Sequence, residues 1–170
     1  MYNPDGVELE YPRENANGVD IERNWDAITV QPEVAVLRAR FTELMASDAP
    51  IKVAMNMHSA YGTDRFFVYH SSIGTSNDYA ILEQHYIGGV RSYYIKGIRP
   101  WDFRITWTIG TPTYYPESWF WINHQENVMA LTYEDWNSDL AANFDSTANA
   151  MLRGIADYLD IEPAGIDQNP

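Results

Sequence analysis

The sequence predicts an α/β fold. Two short apolar runs, 51–57 and 128–133, have the length of buried strands, and they alternate with segments whose apolar residues recur at helical spacing. Both runs stop at an ionisable residue, His58 in one case and Glu134 in the other. In open α/β sheets ligands lie beyond the carboxyl ends of the strands, so these two ends are where chemistry would be placed.

The elements follow in chain order. Residues 2–31 form a long irregular segment, and a long loop inside a compact domain is usually functional. Within it, Asn3-Pro4-Asp5-Gly6 has the residues of a tight turn, because Pro presets φ and Gly tolerates φ > 0. Pro32 suits the first turn of a helix that runs to about Ser47, with Val34, Leu37, Phe41 and Leu44 on one face. Asp48-Ala49-Pro50 is a turn into the first strand, where Ile51, Val53, Met55 and Met57 share one side and Ala54 and Asn56 the other. Such a strand is expected to be buried on most of both faces. Residues 75–94 read as a helix that Gly88-Gly89 should break or kink. Residues 97–121, rich in Trp, Tyr, Pro and Gly, read as a large aromatic loop. After the second strand, Asp145 or Ser146 caps a last helix with Ala148, Met151, Leu152, Ile155 and Leu159 as its inner stripe. Residues 1–162 are then one domain and 163–170 a frayed tail.

Composition narrows the function. A chain of 170 residues is long enough to bury a sizeable core. The net charge of −13 argues against a nucleic-acid or anionic-membrane partner, both of which need a basic footprint. There are no cysteines, hence no disulfide framework and no Cys-based zinc site. No run of eighteen apolar residues suggests a membrane span, and no basic-then-apolar leader precedes Tyr2.

Four charged side chains are the candidates for chemistry. Neutral imidazole is the commonest protein metal ligand, which suits His58, with Asn56 and Ser59 beside it as hydrogen-bonding support. A single histidine at a strand end also serves a purely structural role. Glu134 is either the first solvated residue after an apolar strand or a partly buried carboxylate raised into the range for general acid–base work. Arg13 and Arg23 are either surface charges paired with Glu14 and Glu22, or two guanidinium forks aimed at a substrate carboxylate and a developing oxyanion. His70, His85 and His124 have no metal-ligand spacing with one another, and no H-E-x-x-H, G-x-S-x-G or phosphate-binding loop occurs.

Taken in order, "NPDG" at 3–6, "RENANGVDIERNW" at 13–25, "NMHSAYG" at 56–62 and "LTYE" at 131–134 resemble the second half of zinc carboxypeptidases of the carboxypeptidase A type. The resemblance covers about residues 2–160. It implies a three-layer α/β/α fold with a mixed, mostly parallel sheet, incomplete at its N-terminal side. It implies a zinc-dependent peptidase acting on a peptide or protein C-terminus, with His58 as the last of three zinc ligands. Glu134 would be the general base and acid, Arg13 the oxyanion partner, and Arg23 the partner of the substrate's terminal carboxylate. Tyr114 and Tyr115 are the two candidates for the family's mobile-loop tyrosine. Family members are mostly exported, which implies a secreted or periplasmic parent protein.

Two departures from the family pattern stand out. Glu22 occupies the position of an asparagine in "D-x-N-R-N", where it is expected to weaken the hold of Arg23 on a carboxylate or to recruit a cationic group. The family's H-x-x-E zinc motif, expected upstream of "NPDG", is not found in these residues. The chain is therefore expected to be a fragment and inactive alone. A pocket residue is expected between Tyr114 and Phe120, where Glu117 would favour basic side chains. The competing reading is a non-catalytic module binding peptide or carbohydrate through the aromatic loop 97–121, with Trp101, Trp107, Trp119 and Trp121; the alternative is that those rings only pack the core and line a specificity pocket.

Overall fold

The computed structural model describes residues 3–11, 13–60, 65–94, 98, 110, 112–136 and 144–161. Its elements are α1 (Pro4–Glu8), α2 (Pro32–Met45), β1 (Val53–Ala60), β2 (Phe66–Val68), α3 (Asn77–Tyr93), α4 (Pro116–His124), β3 (Met129–Trp136) and α5 (Phe144–Tyr158), with short 3₁₀ turns at Ile21–Arg23 and Gln125–Asn127. The described sheet has three strands in the order β1-β3-β2. β1 runs parallel to β3 and β2 antiparallel to it, so the sheet is mixed, with one pairing of each kind among the described strands.

Two apolar clusters separate the layers. On one face Met129, Leu131 and Tyr133 of β3 pack with Phe67 of β2, Tyr86, Ile87 and Val90 of α3, and Ala150 and Met151 of α5. On the other, Val128 and Ala130 pack with Val34 of α2, Trp119 and Phe120 of α4, and Ile21 and Trp25 from the preceding loop. The result is the expected helix–sheet–helix sandwich. Beyond the end of β2, the Tyr79 hydroxyl replaces a strand neighbour: it donates to the Ala130 carbonyl at 2.9 Å and accepts from the Ala130 amide at 3.0 Å. A buried backbone pair is thus satisfied without a ladder.

The structure corrects several sequence expectations. Asn3-Pro4-Asp5-Gly6 starts the short helix α1, with the Asn3 side chain capping the Gly6 amide at 3.0 Å. α3 runs unbroken through Gly88-Gly89. A Cβ on Gly89 would sit 3.9 Å from the Gly154 Cα, so α3 and α5 cross at glycines. Close packing there offsets the helix cost of about 1 kcal/mol per glycine. The supposed aromatic loop ends in a helix, α4, and its Trp119 is a core residue against Trp25 and Phe41. Trp121 packs on Tyr79 at 4.8 Å. Trp101 and Trp107 lie outside the described residues, as does the tail 163–170. The inner stripe of α5 is Thr147, Ala150, Met151 and Gly154, while Ala148 and Leu152 are exposed. The small residues set that rotation, since only they allow α3 to approach. Met57 is 60% exposed, so the end of β1 is open on one face. The short strand β2 was not anticipated, because three residues carry too little periodicity to register. Among the described residues no helix is long and apolar enough to cross a membrane.

The α3–α5 crossing gives the first prediction. A Cβ on Gly154 would fall 2.4 Å from Val90 Cγ2 and 3.2 Å from the Val90 amide nitrogen. Gly154→Ala is therefore expected to destabilise the fold by about 1–3 kcal/mol through overpacking, despite its better helix propensity. Urea denaturation measures this, and a variant as stable as the parent would show that the helices separate freely.

Candidate active site

The site follows from the two-residue period of the strands. β1 and β3 pair in register: Ala54 with Ala130, Asn56 with Thr132, His58 with Glu134. Residues paired across neighbouring strands share a face. The alternate residues Val53, Met55, Met129, Leu131 and Tyr133 belong to the α3–α5 core. Asn56, His58, Thr132 and Glu134 therefore emerge together on the α2–α4 face, with His58 directly beside Glu134. Both strands continue two residues beyond this pair, to Ala60 and Trp136.

The loop 13–25 is held over this face by its own polar side chains. Asn15, buried, accepts from the amides of Asn17 at 3.0 Å and Val19 at 3.2 Å. Its Nδ2 donates to Gln31 at 2.9 Å and Glu33 at 3.2 Å, tying the loop to the start of α2. Gly18 has φ +69°, a left-handed conformation that favours glycine in this tight return. Asn24 accepts from the Gln31 amide at 2.7 Å. α1 closes the other side, where Asn3 Nδ2 donates to the Glu14 carbonyl at 3.0 Å and a Cβ on Gly6 would meet that carbonyl at 2.4 Å. Asp20 accepts from the Glu22 amide at 3.0 Å and so starts the turn that carries Glu22 and Arg23.

A cavity of about 570 Å³ opens between this loop, β1 and α4. Its apolar part includes Trp25, Leu37 and Phe41; its polar part is Glu22, Asn56, His58 and Glu117. Asn56 Nδ2 donates to Glu22 at 2.8 Å and to Glu117 at 3.4 Å. Thr132 Oγ1 donates to the other Glu117 oxygen at 2.9 Å. Glu22 Oε1 also lies 3.3 Å from His58 Nε2.

These contacts set the charges. The hydrogen bond to Glu22 holds the His58 imidazole above the ordinary histidine value; burial pulls it down, and the nearby Glu134 and Glu117 charges reinforce the rise. Burial pushes Glu134 above the usual carboxyl range, and Glu22 and Glu117 push the same way, while His58 and Arg13 pull against them. Burial likewise raises Glu117, with Glu22 adding to it. Three carboxyls thus surround one imidazole, and the upward shift of Glu134 is in the direction that suits general acid–base work.

The remaining candidates stand around the cavity and do not line it. Arg13 and Arg23 converge on one carboxylate: Arg13 Nη1 lies 3.9 Å from Asp20 Oδ2, and Arg23 Nη1 donates to the same oxygen. Arg23 also lies over the Tyr115 ring at 5.5 Å, and Tyr115 touches Tyr114 at 4.6 Å. Glu22 turns away from Arg23 to Asn56 and His58. Asn15, Asn24 and Thr132 escaped the sequence reading. Thr132 was within reach, since it lies two residues before Glu134 on the same strand face; the asparagines left no signal distinguishing them from ordinary loop residues.

A catalytic zinc needs three protein ligands. Among the described residues no group of three His, Asp or Glu side chains is placed to hold a metal, and the Nε2 of His58 is engaged by Glu22. The described residues therefore do not by themselves make a zinc site.

No protein-family model matches the chain, and no curated protein matches it. Solved structures do. A metallo-carboxypeptidase from Burkholderia cenocepacia superposes with a TM-score of 0.71 at 18% identity, over 94% of this chain and 43% of its own length. A metallo-carboxypeptidase from Pseudomonas aeruginosa, solved in complex with (2-guanidinoethylmercapto)succinic acid, superposes with a TM-score of 0.70 at 18% identity, over 94% of this chain and 44% of its own length. The fold is that of metallo-carboxypeptidases, and the chain spans less than half the length of these neighbours.

The Glu22–His58 contact gives a pH prediction. A raised folded-state value means that folding favours imidazolium. The stability this contributes is complete below the unfolded value of about 6.5 and is lost as pH rises through the folded value. Glu22→Gln removes the anion, so the His58 titration, followed by the NMR shift of its ring protons, should move to lower pH. A titration that does not move would show that the 3.3 Å contact carries no charge interaction.

Proposed function

We propose that this chain carries the proton-transfer group, the substrate-binding loop and one metal ligand of a zinc-dependent metallocarboxypeptidase site. The observation that supports this most is the in-register pair His58–Glu134 on one face of two parallel strands, in a fold shared with metallo-carboxypeptidases. A rigid strand pair is the kind of support that holds a ligand and a base at fixed separation. In this reading zinc, when bound, supplies Lewis acidity toward the scissile carbonyl and an acidified water. His58 is one ligand, and the other two come from polypeptide outside residues 1–170.

The chain's own groups then take distinct tasks. Glu134, raised by burial, accepts a proton from the attacking water and returns it to the leaving amine. Arg13, whose side chain is 62% exposed, is free to leave Asp20 for an oxyanion. Arg23, held against Asp20 and Tyr115, is oriented to take a substrate carboxylate in a bidentate grip. Tyr114 and Tyr115 border that carboxylate position. Glu22, bound to Asn56 and His58, does not pair with Arg23, so it does not exclude carboxylate binding. Glu22 and Glu117 together make the cavity acidic, which favours a C-terminal residue with a basic side chain. The neighbouring Pseudomonas aeruginosa enzyme was solved with a compound carrying both a guanidino group and a succinic acid.

The incomplete ligand set favours one second reading: a non-catalytic peptide-binding module on the same loop and cavity. Metal analysis after dialysis, with a peptide-hydrolysis assay, separates the two for the isolated chain. The chain alone is expected to retain far less than one zinc and to show no turnover; one zinc per chain with turnover would place further ligands in residues 1–170. Zinc-loaded enzyme completed by the other ligands should hydrolyse C-terminal residues, and a completed, zinc-loaded protein that binds peptide without turnover would establish the module instead. In that enzyme Glu134→Gln should lower kcat about 10²–10⁴-fold with zinc content unchanged, because the proton carrier is lost and no ligand is. Loss of zinc in this variant would make Glu134 a ligand.

A further inference from the structure

Behind the cavity lies a second polar group that the proposed mechanism does not use. His70, which follows β2, Glu83 on α3 and Ser118 on α4 are 3%, 0% and 1% exposed. His70 Nδ1 lies 2.9 Å from Glu83 Oε1, and the His70 backbone amide donates to Glu83 Oε2 at 2.8 Å. His70 Nε2 lies 3.3 Å from Ser118 Oγ. The Tyr79 ring meets the imidazole edge-on at 5.7 Å. These separations are those of a nucleophile, a base and an orienting acid. The burial is not: Ser118 lies outside the cavity lining, and no substrate reaches its hydroxyl.

What the trio does reach is Glu117, the next residue along α4. Glu117 is itself buried, and its carboxylate is directed by Thr132 and Asn56 toward the cavity. A buried carboxylate needs compensating charge or hydrogen bonds to remain ionised. Glu117 stands in the first turn of α4, where the helix N-terminus favours an anion. Around it the charged and titratable groups are Glu22 from the loop, His58 and Glu134 from β1 and β3, Glu83 from α3 and His70. Of the two imidazoles, His58 is engaged by Glu22.

We propose that His70 is a positioning residue for Glu117: clamped between Glu83 and Ser118, it locks the first turn of α4 to the end of β2 and sets a buried positive charge behind the Glu117 carboxylate. The carboxylate then stays ionised and fixed in the cavity as an acceptor for a cationic substrate group. This last step rests on the cavity being the substrate site; the lock and the charge do not. Burial pulls the His70 imidazole down, but Glu83 against it and Glu117 nearby more than reverse this, so its pKa lies above the ordinary histidine value. Burial also raises the Glu83 carboxyl, with His70 pulling against it; in the proposed state Glu83 holds the imidazolium and Glu117 lies within its field.

The test needs neither zinc nor peptide. In the chain labelled with ¹⁵N-histidine, His70 should show the imidazolium pattern of two protonated nitrogens at pH 7, and a neutral ring there overturns the proposal. In ¹³C-glutamate-labelled protein, His70→Gln should raise the Glu117 titration by at least one pH unit, a tenfold weaker ionisation. A merely structural histidine would leave that titration in place once the near-ultraviolet circular dichroism matched the parent. If His70→Gln does not fold, the ¹⁵N spectrum of the parent and Ser118→Ala decide. Ser118→Ala keeps the charge but frees the helix turn, so the Trp119 amide should exchange at least tenfold faster while His70 remains protonated; unchanged exchange removes the lock. Failure of the peptidase reading leaves these readouts intact, and an unmoved Glu117 titration overturns the proposal without touching His58 or Glu134.

Discussion

The parallel register of β1 on β3 is the constraint from which the rest of the site follows. One residue of slip would send His58 and Asn56 to the α3–α5 core and bring Met55 and Met57 under the loop. The register is enforced from both faces. Met129, Leu131 and Tyr133 are fully buried on one side, Val128 and Ala130 on the other, and neither set can be exchanged without exposing a core. Apolar packing thus fixes the position of the polar pair His58–Glu134, although those two residues contribute little to the packing.

Charge is the second organising quantity. Glu22, Glu117 and Glu134 stand near one another with His58 between them, and each raised carboxyl is raised first by burial. Asn56 and Thr132 lessen the strain by donating to the oxygens of Glu22 and Glu117. An amide or hydroxyl donor satisfies a carboxylate without adding charge, so the cavity keeps its negative character. That character is what distinguishes it from a purely apolar pocket: the aromatic wall of Trp25 and Phe41 offers area, and the carboxylates offer a preference for cations.

The loop 13–25 shows how a segment without apolar periodicity is nevertheless ordered. Ile21 and Trp25 anchor it in the α2–α4 core, and between and before them the backbone is held by Asn15, Asp20 and Asn24. Asn15 and Asp20 bond the amide two residues on in the manner of Asx turns, and Asn24 reaches ahead to the Gln31 amide, so short polar side chains determine the chain path. Asp20 has a double task, since the carboxylate that starts the turn also gathers Arg13 and Arg23. The guanidiniums therefore share one anchor, from which a stronger acceptor would draw them.

The sequence by itself determined the alternation of helix and strand, the two strands that carry the site, and the placing of His58 and Glu134 near their ends. These are readable because a two-residue or 3.6-residue period, and the point where it stops, are local properties of the chain. The motifs also placed Arg13, Arg23 and Glu22 in one loop. Tertiary structure decided the rest. The rotation of α5, which buries Gly154 and exposes Leu152, depends on how closely α3 approaches. The continuity of α3 through Gly88-Gly89 depends on the same crossing, because packing energy there exceeds the local preference to break. Whether Glu22 faces Arg23 or His58, and whether His70 is a stray surface histidine or a buried one clasped by Glu83, are questions of partners far apart in the chain. Burial and charge pairing arise only when such residues meet, and a single sequence does not record which of its carboxylates will find an imidazole.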